Sequence, residues 1–254
     1  MNAFPDIPAI GYRENYQIRT YEIDSEKRAT IPALVKLMHE AAMQNVIQLN
    51  LSYWDLLPHE VSWVLLRKQM QIHRLPQLGE AITVITYPAG FDRFFTHRDY
   101  KIGTTEGEVL VESSSSWLLM NTSTRKMAPL LGFIKQFEDR MPAPEHCLPR
   151  PPSKLPQLEQ VEFSKTFEVG WHDLDFNQHL NNTYYVQWML ETLPMQFLEG
   201  GNLHTLDINY RSECRYGTQV LAEAQQTQEG AFLHQLREKD SGKILAAART
   251  NFKK

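Results

Sequence analysis

The chain has 254 residues, of which 42% are hydrophobic and 22% charged, an ordinary composition for a globular protein of one large or two small domains. No apolar run approaches the roughly 18 residues needed to cross a bilayer. The net charge of -4 argues against bulk electrostatic attraction to nucleic acid.

The cysteines and the N-terminal stretch point to a reducing compartment. The two cysteines, Cys147 and Cys214, provide neither a disulfide framework nor a zinc-ligand spacing. The first residues lack the basic and apolar regions of a signal peptide and the Arg- and Ser-rich character of a transit peptide. We therefore expect a cytoplasmic protein that binds neither a membrane nor nucleic acid.

The first part of the chain predicts a strand, a long helix and a set of further strands. Residues 16–23 alternate aromatic and β-branched side chains as a strand does. Thr30 can cap a helix that has Pro32 in its first turn and an apolar stripe to about Asn50. Strand-like segments then occupy residues 63–72, 81–90, 94–103 and 109–121. A helix followed by strands with hairpin-length connections is an α+β pattern with antiparallel pairing.

A proline-rich segment divides the chain, and the same order of strand, helix and further strands follows it. Six prolines between Met141 and Pro156 are typical of a linker. A strand at 161–169, a loop, a helix that stops at Pro194 and four more strands follow. We predict an N-terminal domain at residues 1–140, a linker at 141–160 and a C-terminal domain at 161–254.

The restart is a repeat whose register can be checked by subtraction. Asp24 plus 151 is Asp175, and Thr30 plus 151 is Asn181, so strand, loop and helix cap coincide without a gap. An antiparallel sheet that wraps around each helix would bury its apolar stripe. Edge-to-edge pairing of the two copies would remove exposed sheet edges.

Polar side chains of the kinds that take part in catalysis are concentrated in the second copy. Asp175, Asn177 and His179 stand at alternate positions just before the helix that Asn181 can cap, and Glu213 lies at the end of a later predicted strand, residues 206–213. The aligned positions of the first copy hold Glu26 and Arg28 instead of Asn177 and His179, and Leu75 instead of Glu213. Only the second copy therefore keeps a reactive set.

The motifs themselves resemble the acyl-ACP thioesterases over nearly the whole chain. The resemblance rests on the order and spacing of YEIDSEKRATIPALVKLMHEAAMQNV, WVLLRKQMQIHRLPQLGE, SSSSWLLMNTSTRKMAPL, DLDFNQHLNNTYYVQWMLETLP and INYRSEC. It implies a tandem, or double, hot-dog fold in which two antiparallel sheets each wrap a long central helix. It also implies hydrolysis of the thioester of fatty acyl-acyl carrier protein, releasing free fatty acid and holo-ACP without metal or organic cofactor.

The resemblance implies Asp175, Asn177, His179 and Glu213 as catalytic residues, with Cys214 beside them as an alternative nucleophile. In our interpretation Asp175 is the general base or direct nucleophile and Asn177 orients water or the thioester carbonyl. His179 polarises the carbonyl or relays a proton, and Glu213 holds His179 or the attacking water. Free amides at the start of the following helix could complete an oxyanion hole.

Several alternatives remain open at this point. Cys214 could form a Cys–His–Asn set with His179 and Asn177. Asp175 and Asn177 could be simple turn-formers, His179 a structural histidine and Glu213 a solvated residue. An acyl-CoA thioesterase, another hot-dog hydratase or dehydratase, and a non-catalytic acyl-thioester-binding protein are the alternative functions. A calcium loop is excluded because Gln178 and Tyr184 stand where Gly and Glu are required.

The substrate is expected to use both halves of the chain. An acyl chain needs an apolar tunnel, and the first copy, the acyl-binding or scaffold domain, offers the following large apolar side chains: Met38, Met43, Trp63, Met70, Phe94, Phe95 and Trp117. The partner would be an acyl carrier protein with a phosphopantetheine-linked acyl chain. Because such carriers are acidic, candidate docking residues are Arg211, Arg215, Arg125 and Lys126. The tandem arrangement leaves a homodimer open.

Overall fold

The computed structural model of the chain describes residues 7–200 and 203–253, so the first six residues of the predicted N-terminal domain lie outside it. The first half contains β1 Tyr12–Gln17, α1 Ile31–Gln48, α2 Tyr53–Leu56, β2 Val61–Ile72, β3 Ala81–Phe91, β4 Phe95–Thr104, β5 Val109–Asn121, β6 Met127–Ala128 and α3 Gly132–Lys135. The second half contains β7 Phe163–Glu168, α4 Asn182–Leu190, α5 Met195–Glu199, β8 Leu203–Tyr210, β9 Gln219–Gln228, β10 Ala231–Glu238 and β11 Ile244–Phe252.

The strands pair antiparallel in one continuous sheet in the order β1-β3-β4-β5-β2-β8-β11-β10-β9-β7, with β6 beside β5. Apart from β6, each half contributes five strands in the same connectivity, which confirms the predicted duplication. The halves meet where β2 pairs with β8, for example Arg67 with Asn209 and Met70 with Leu206. This pairing covers an edge of each half-sheet.

The same local hydrogen bonds recur in the two copies. Isolated antiparallel bridges join Ile23 to Ala29 in the first copy and Leu174 to Leu180 in the second, and both pairs differ by the 151 positions of the repeat. α1 and α4 also begin at matching residues, Ile31 and Asn182. The predicted register is therefore correct for strand, loop and helix start.

Three elements differ from the sequence prediction. β8 ends at Tyr210, so Glu213 follows this strand and does not lie in it. The first strand spans Tyr12–Gln17 and not the predicted residues 16–23, because the Glu22 carboxylate accepts the Arg19 amide at 2.8 Å and closes a 3-10 turn after the strand. The second central helix is shorter than predicted: α4 ends at Leu190, four residues before Pro194, and a separate short helix, α5, begins after that proline. Proline lacks an amide hydrogen and disfavours helical geometry in the residue before it, so α4 cannot continue into α5.

The helices α1 and α4 pack against each other and against the sheet, and they share one core. α1 packs against α4 and against β3. Leu34 and Met38 of α1 belong to the same buried cluster as Tyr185 and Met189 of α4. The loop ahead of α4, which the sequence predicts to be catalytic, therefore lies next to a core to which both copies contribute.

The proline-rich segment lies against the first half-sheet. The Leu148 amide donates to Asp99 Oδ2 of β4 at 2.8 Å, and the Arg150 guanidinium donates to the Ala89 carbonyl of β3 at 2.7 Å. Gln69 of β2 donates to the Pro149 carbonyl at 2.6 Å. Within residues 7–200 and 203–253, no helix is both long and apolar enough to cross a bilayer.

Candidate active site

The loop before α4 is closed by the side chain of Asp175. Its Oδ1 accepts the Asn177 amide at 2.8 Å and the His179 amide at 3.2 Å. The Asp175 amide in turn donates to the His179 carbonyl at 2.8 Å. Gln178 adopts a left-handed conformation with φ 61°, which completes the tight turn. The Asp175 carboxylate therefore holds the loop closed through one oxygen. Asn177 and His179 line the same cavity as Asp175.

The start of α4 is capped by the residue that the sequence indicated. Asn181 has extended backbone angles, and its Oδ1 accepts the Thr183 amide at 3.0 Å. Asn181, Asn182 and Thr183 all line the cavity. The positive end of the α4 dipole consequently faces the same space as Asp175 and His179.

His179 and Glu213 meet across the two segments. His179 Nδ1 lies 3.0 Å from Glu213 Oε2, and the two side chains are 17% and 40% exposed. A carboxylate can only accept here, so the neutral imidazole carries its proton on Nδ1 and keeps a lone pair on Nε2. In this tautomer Nε2 is the ring nitrogen that can accept a proton.

Arg125 is a member of this constellation to which the sequence assigned a different role. Its Nη2 donates to Glu213 Oε1, so Glu213 bridges Arg125 and His179. Arg125 belongs to the turn after β5, has φ 58°, and lies 88 positions from Glu213 in the chain. We predicted it as a docking residue. Nothing local in the sequence indicates the contact, because it depends on how the two copies are joined.

The loop of the first copy has the same closure but a different occupant. Asp24 Oδ1 accepts the Arg28 amide at 2.9 Å, in the manner of Asp175. Arg28 stands where the second copy has His179, and its guanidinium binds Asp24 Oδ2 and the carbonyls of Glu199 and Gly200 at the end of α5. This position therefore makes a structural contact between the copies in the first half.

A cavity of about 850 Å³ joins the polar residues of the second copy to apolar side chains of the first. Of the predicted tunnel residues, Met43, Trp63 and Trp117 line it. Met38 and Met70 are instead buried in the main core. Phe94 and Phe95 are not among its lining residues. Three of the seven predicted residues therefore line the cavity, because α1 and β2 each turn a second face into the core, and apolar residues that the sequence did not single out, among them Phe91 and Met120, complete the lining.

The Cys214 thiol does not share the environment of the adjacent Glu213 side chain. Its thiol is buried in the main core, 3.9 Å from the Tyr185 hydroxyl, and is not among the cavity-lining groups. Burial raises the pKa of this thiol to about 11. The carbonyl of Cys214 accepts the Leu180 amide at 2.9 Å, which holds this segment beside the loop that carries Asp175. The structure brings Asp175, Asn177, His179 and Glu213 to one cavity and leaves the Cys214 thiol outside it.

No group of three or more His, Cys, Asp or Glu side chains in the described part of the chain is placed to hold a metal ion. The arrangement offers instead an oriented imidazole, two carboxylates, an amide and a helix start. Those groups suit proton transfer and stabilisation of a developing oxyanion.

Comparison with protein families places this site in a known context. The profile of the acyl-ACP thioesterase N-terminal domain matches residues 10–134, and that of the C-terminal domain matches residues 157–254. The chain belongs to the acyl-ACP thioesterase family. The loop that carries Asp175 and its counterpart at Asp24 both fall inside matched regions, and the proline-rich segment falls mostly between those regions.

Curated members of the acyl-ACP thioesterase family align over most of the chain. An acyl-[acyl-carrier-protein] hydrolase, chloroplastic, of Cuphea viscosissima is 31% identical over 92% of this chain and 61% of its own length. A palmitoyl-acyl carrier protein thioesterase, chloroplastic, of Cuphea hookeriana is 30% identical over 92% of this chain and 60% of its own length. The chain thus spans about three fifths of the length of these relatives.

Solved acyl-ACP thioesterase structures share the fold. The enzyme from Bacteroides thetaiotaomicron superposes with a TM-score of 0.85 at 20% identity, covering 96% of this chain and 98% of its own. The 12:0-ACP thioesterase from Umbellularia californica gives 0.85 at 21% identity, covering 98% and 99%. These likenesses confirm the predicted α+β double hot-dog fold.

Proposed function

We propose that the chain hydrolyses the thioester of fatty acyl-acyl carrier protein and releases free fatty acid and holo-ACP. The observation that carries the proposal is the Arg125–Glu213–His179 chain of contacts on the wall of an 850 Å³ cavity whose remaining lining is largely apolar. Family membership and the acyl-carrier-protein substrates named for the relatives support the same substrate class.

The reaction requires water to attack the carbonyl carbon, a tetrahedral oxyanion to form, and the carbon–sulfur bond to break. Asp175 takes the proton of the attacking water, and His179 Nε2 relays that proton to the departing thiolate. Glu213 holds the imidazole through Nδ1 and stabilises the imidazolium that forms. General acid–base help of this kind contributes about 10²–10⁴-fold in rate.

Oxyanion stabilisation falls to the start of α4 and to Asn177. Asn181 already accepts the amides of Thr183 and Tyr184. The amide of Asn182, the first residue of α4, is therefore the helix donor left for the oxyanion, and Asn177 lines the same space. One oxyanion donor contributes about 10²–10³-fold in rate. The acyl chain lies against the apolar wall of the first copy, beside Met43, Trp63 and Trp117.

Asp175 has two duties in this proposal. Its Oδ1 closes the loop, a duty that Asp24 performs in the copy without an imidazole. Its Oδ2 is the oxygen that binds the attacking water as base or attacks the carbonyl carbon itself. Asp175→Asn keeps an acceptor for the loop and removes the negative charge, so it separates the two duties.

The proposed division of labour follows the predicted domains. Residues 1–140 bind the acyl chain and supply Arg125, residues 141–160 connect the copies, and residues 161–254 carry the catalytic groups. The partner is an acyl carrier protein, and the chain acts without a resident cofactor.

The test is thiol release from a series of acyl-ACPs of increasing chain length, with matching acyl-CoAs in parallel. We expect Asp175→Asn to lower kcat by at least about 10²-fold, while the matched variant Asp24→Asn retains wild-type turnover. Hydrolysis of acyl-CoA in preference to acyl-ACP would reassign the substrate. Equal losses in the two Asp→Asn variants would reduce Asp175 to a loop-forming residue.

A further inference from the structure

Three aromatic side chains form a cluster at the rim of the cavity, which we call the aromatic rim: Tyr53 and Trp54 of α2 and Phe176 of the catalytic loop. The ring centroids of Trp54 and Phe176 are 5.7 Å apart with planes inclined by 30°, and those of Tyr53 and Phe176 are 5.2 Å apart. All three line the cavity. The rim therefore joins the first copy to the loop that carries Asp175.

The two stacked rings remain open to solvent. Trp54 is 57% exposed and Phe176 is 53% exposed. A single exposed aromatic side chain is common, but adjoining exposed rings at the edge of a cavity are typical of binding surfaces. Trp171 is an exposed aromatic residue of the other kind: it is 71% exposed, but it is not among the residues that line the cavity.

The backbone under Trp54 is held firmly. Ser52 and Asp55 cap the short helix α2, with the Ser52 amide donating to Asp55 Oδ2 at 2.8 Å. The indole nitrogen of Trp63 in β2 donates to the Leu51 carbonyl at 2.9 Å. The exposed ring is thus presented by a fixed segment, which lowers the entropic cost of using it for binding.

The position of the rim identifies the part of the substrate that it meets. In the proposed reaction the thioester carbonyl lies beside Asp175 and His179, and the acyl chain runs inward along the apolar wall. The thiol side must point outward, because the carrier protein is too large to enter the cavity. Phe176 is next to Asp175 in the loop, lines the cavity and is 53% exposed, so its ring lies between the thioester position and solvent.

We propose that the aromatic rim is the binding subsite for the pantetheine arm of the substrate. This inference rests on the proposed function and adds the groups that hold the thiol side. The arm is a narrow chain of amide planes and a dimethyl-substituted carbon, which pack on exposed aromatic faces. Arg211 and Lys243 line the same cavity and provide positive charge for the phosphate at the end of the arm.

The experiment compares two thioesters of dodecanoic acid, one with pantetheine and one with 2-mercaptoethanol, which lacks the arm. Wild type should show a higher kcat/KM on the pantetheine thioester. Covering part of the Trp54 ring corresponds to about tenfold in affinity. Trp54→Ala should therefore lower the ratio of the two kcat/KM values by about tenfold, mainly through KM, and Trp54→Phe should restore most of it.

Trp171→Ala is the matched control, since it removes an exposed indole that does not line the cavity; its ratio should equal that of wild type. Equal effects of Trp54→Ala on both thioesters, or no effect on either, would overturn the pantetheine subsite while leaving the hydrolase intact. A wild-type protein that hydrolyses neither thioester would overturn the proposed function, and the subsite with it.

Discussion

Replacement of Lys68 by methionine is expected to stabilise the protein. Lys68 lies in β2, is 1% exposed, and has no hydrogen-bond partner for its Nζ within the described part of the chain. The amine lies 4.1 Å from the centroid of the Tyr100 ring. Burial, with a smaller contribution from Arg98, lowers the pKa of this amine from 10.5 to about 7.

The magnitude follows from the two pKa values. Their difference corresponds to roughly 4–5 kcal/mol of destabilisation when the buried amine is charged. The cation–π contact with Tyr100 offsets about 2 kcal/mol of that. Methionine has a similar unbranched shape and no charge, so Lys68→Met should raise the free energy of unfolding by about 2–3 kcal/mol at acidic pH.

The gain should depend on pH with a definite sign. Between about pH 7 and pH 10.5 the unfolded chain binds more protons at Lys68 than the folded chain, so the stability of the wild type rises with pH across that interval. The advantage of Lys68→Met is therefore full below about pH 7 and declines as the pH approaches 10.5.

Chemical denaturation at about pH 6 and about pH 9.5 measures both quantities. Lys135→Met, which changes an exposed lysine of α3, serves as the matched control and should be neutral at both pH values. A Lys68→Met protein no more stable than wild type at acidic pH would refute the reasoning. A gain that persists undiminished at alkaline pH would also refute it.

Three further predictions concern the site. Glu213→Gln keeps an acceptor for His179 Nδ1 but loses the negative charge. We expect it to lower kcat by about 10²–10³-fold in thiol-release assays with little change in KM. An unchanged kcat would remove Glu213 from the mechanism. Arg125→Met should lower kcat by about three- to tenfold because the contact with Glu213 is partly solvated, whereas an effect on KM alone, matched by Lys126→Met, would return Arg125 to a docking role. Cys214→Ala should retain kcat within about twofold and lose about 1 kcal/mol of stability in denaturant titration; near-complete loss of turnover in a folded protein would make the thiol the nucleophile.

Local sequence determined the parts of the site whose hydrogen bonds close within a few residues. Asp175 bonds amides two and four positions ahead, and Asn181 bonds an amide two positions ahead. Such contacts need only the right side chain at the right spacing, so the repeat register located the loop, the cap and the start of α4. The stop near Pro194 followed for the same reason, although α4 ends four residues earlier.

Tertiary structure alone decided which side chains share the cavity. Glu213 and Cys214 are adjacent in the chain, yet one binds His179 and the other packs in the core. Arg125 reaches Glu213 because β2 and β8 join the two copies into one sheet, and no local pattern encodes that joining. Contacts between distant segments depend on the packing of the whole sheet, whereas loop and cap geometry depends on a few neighbouring residues.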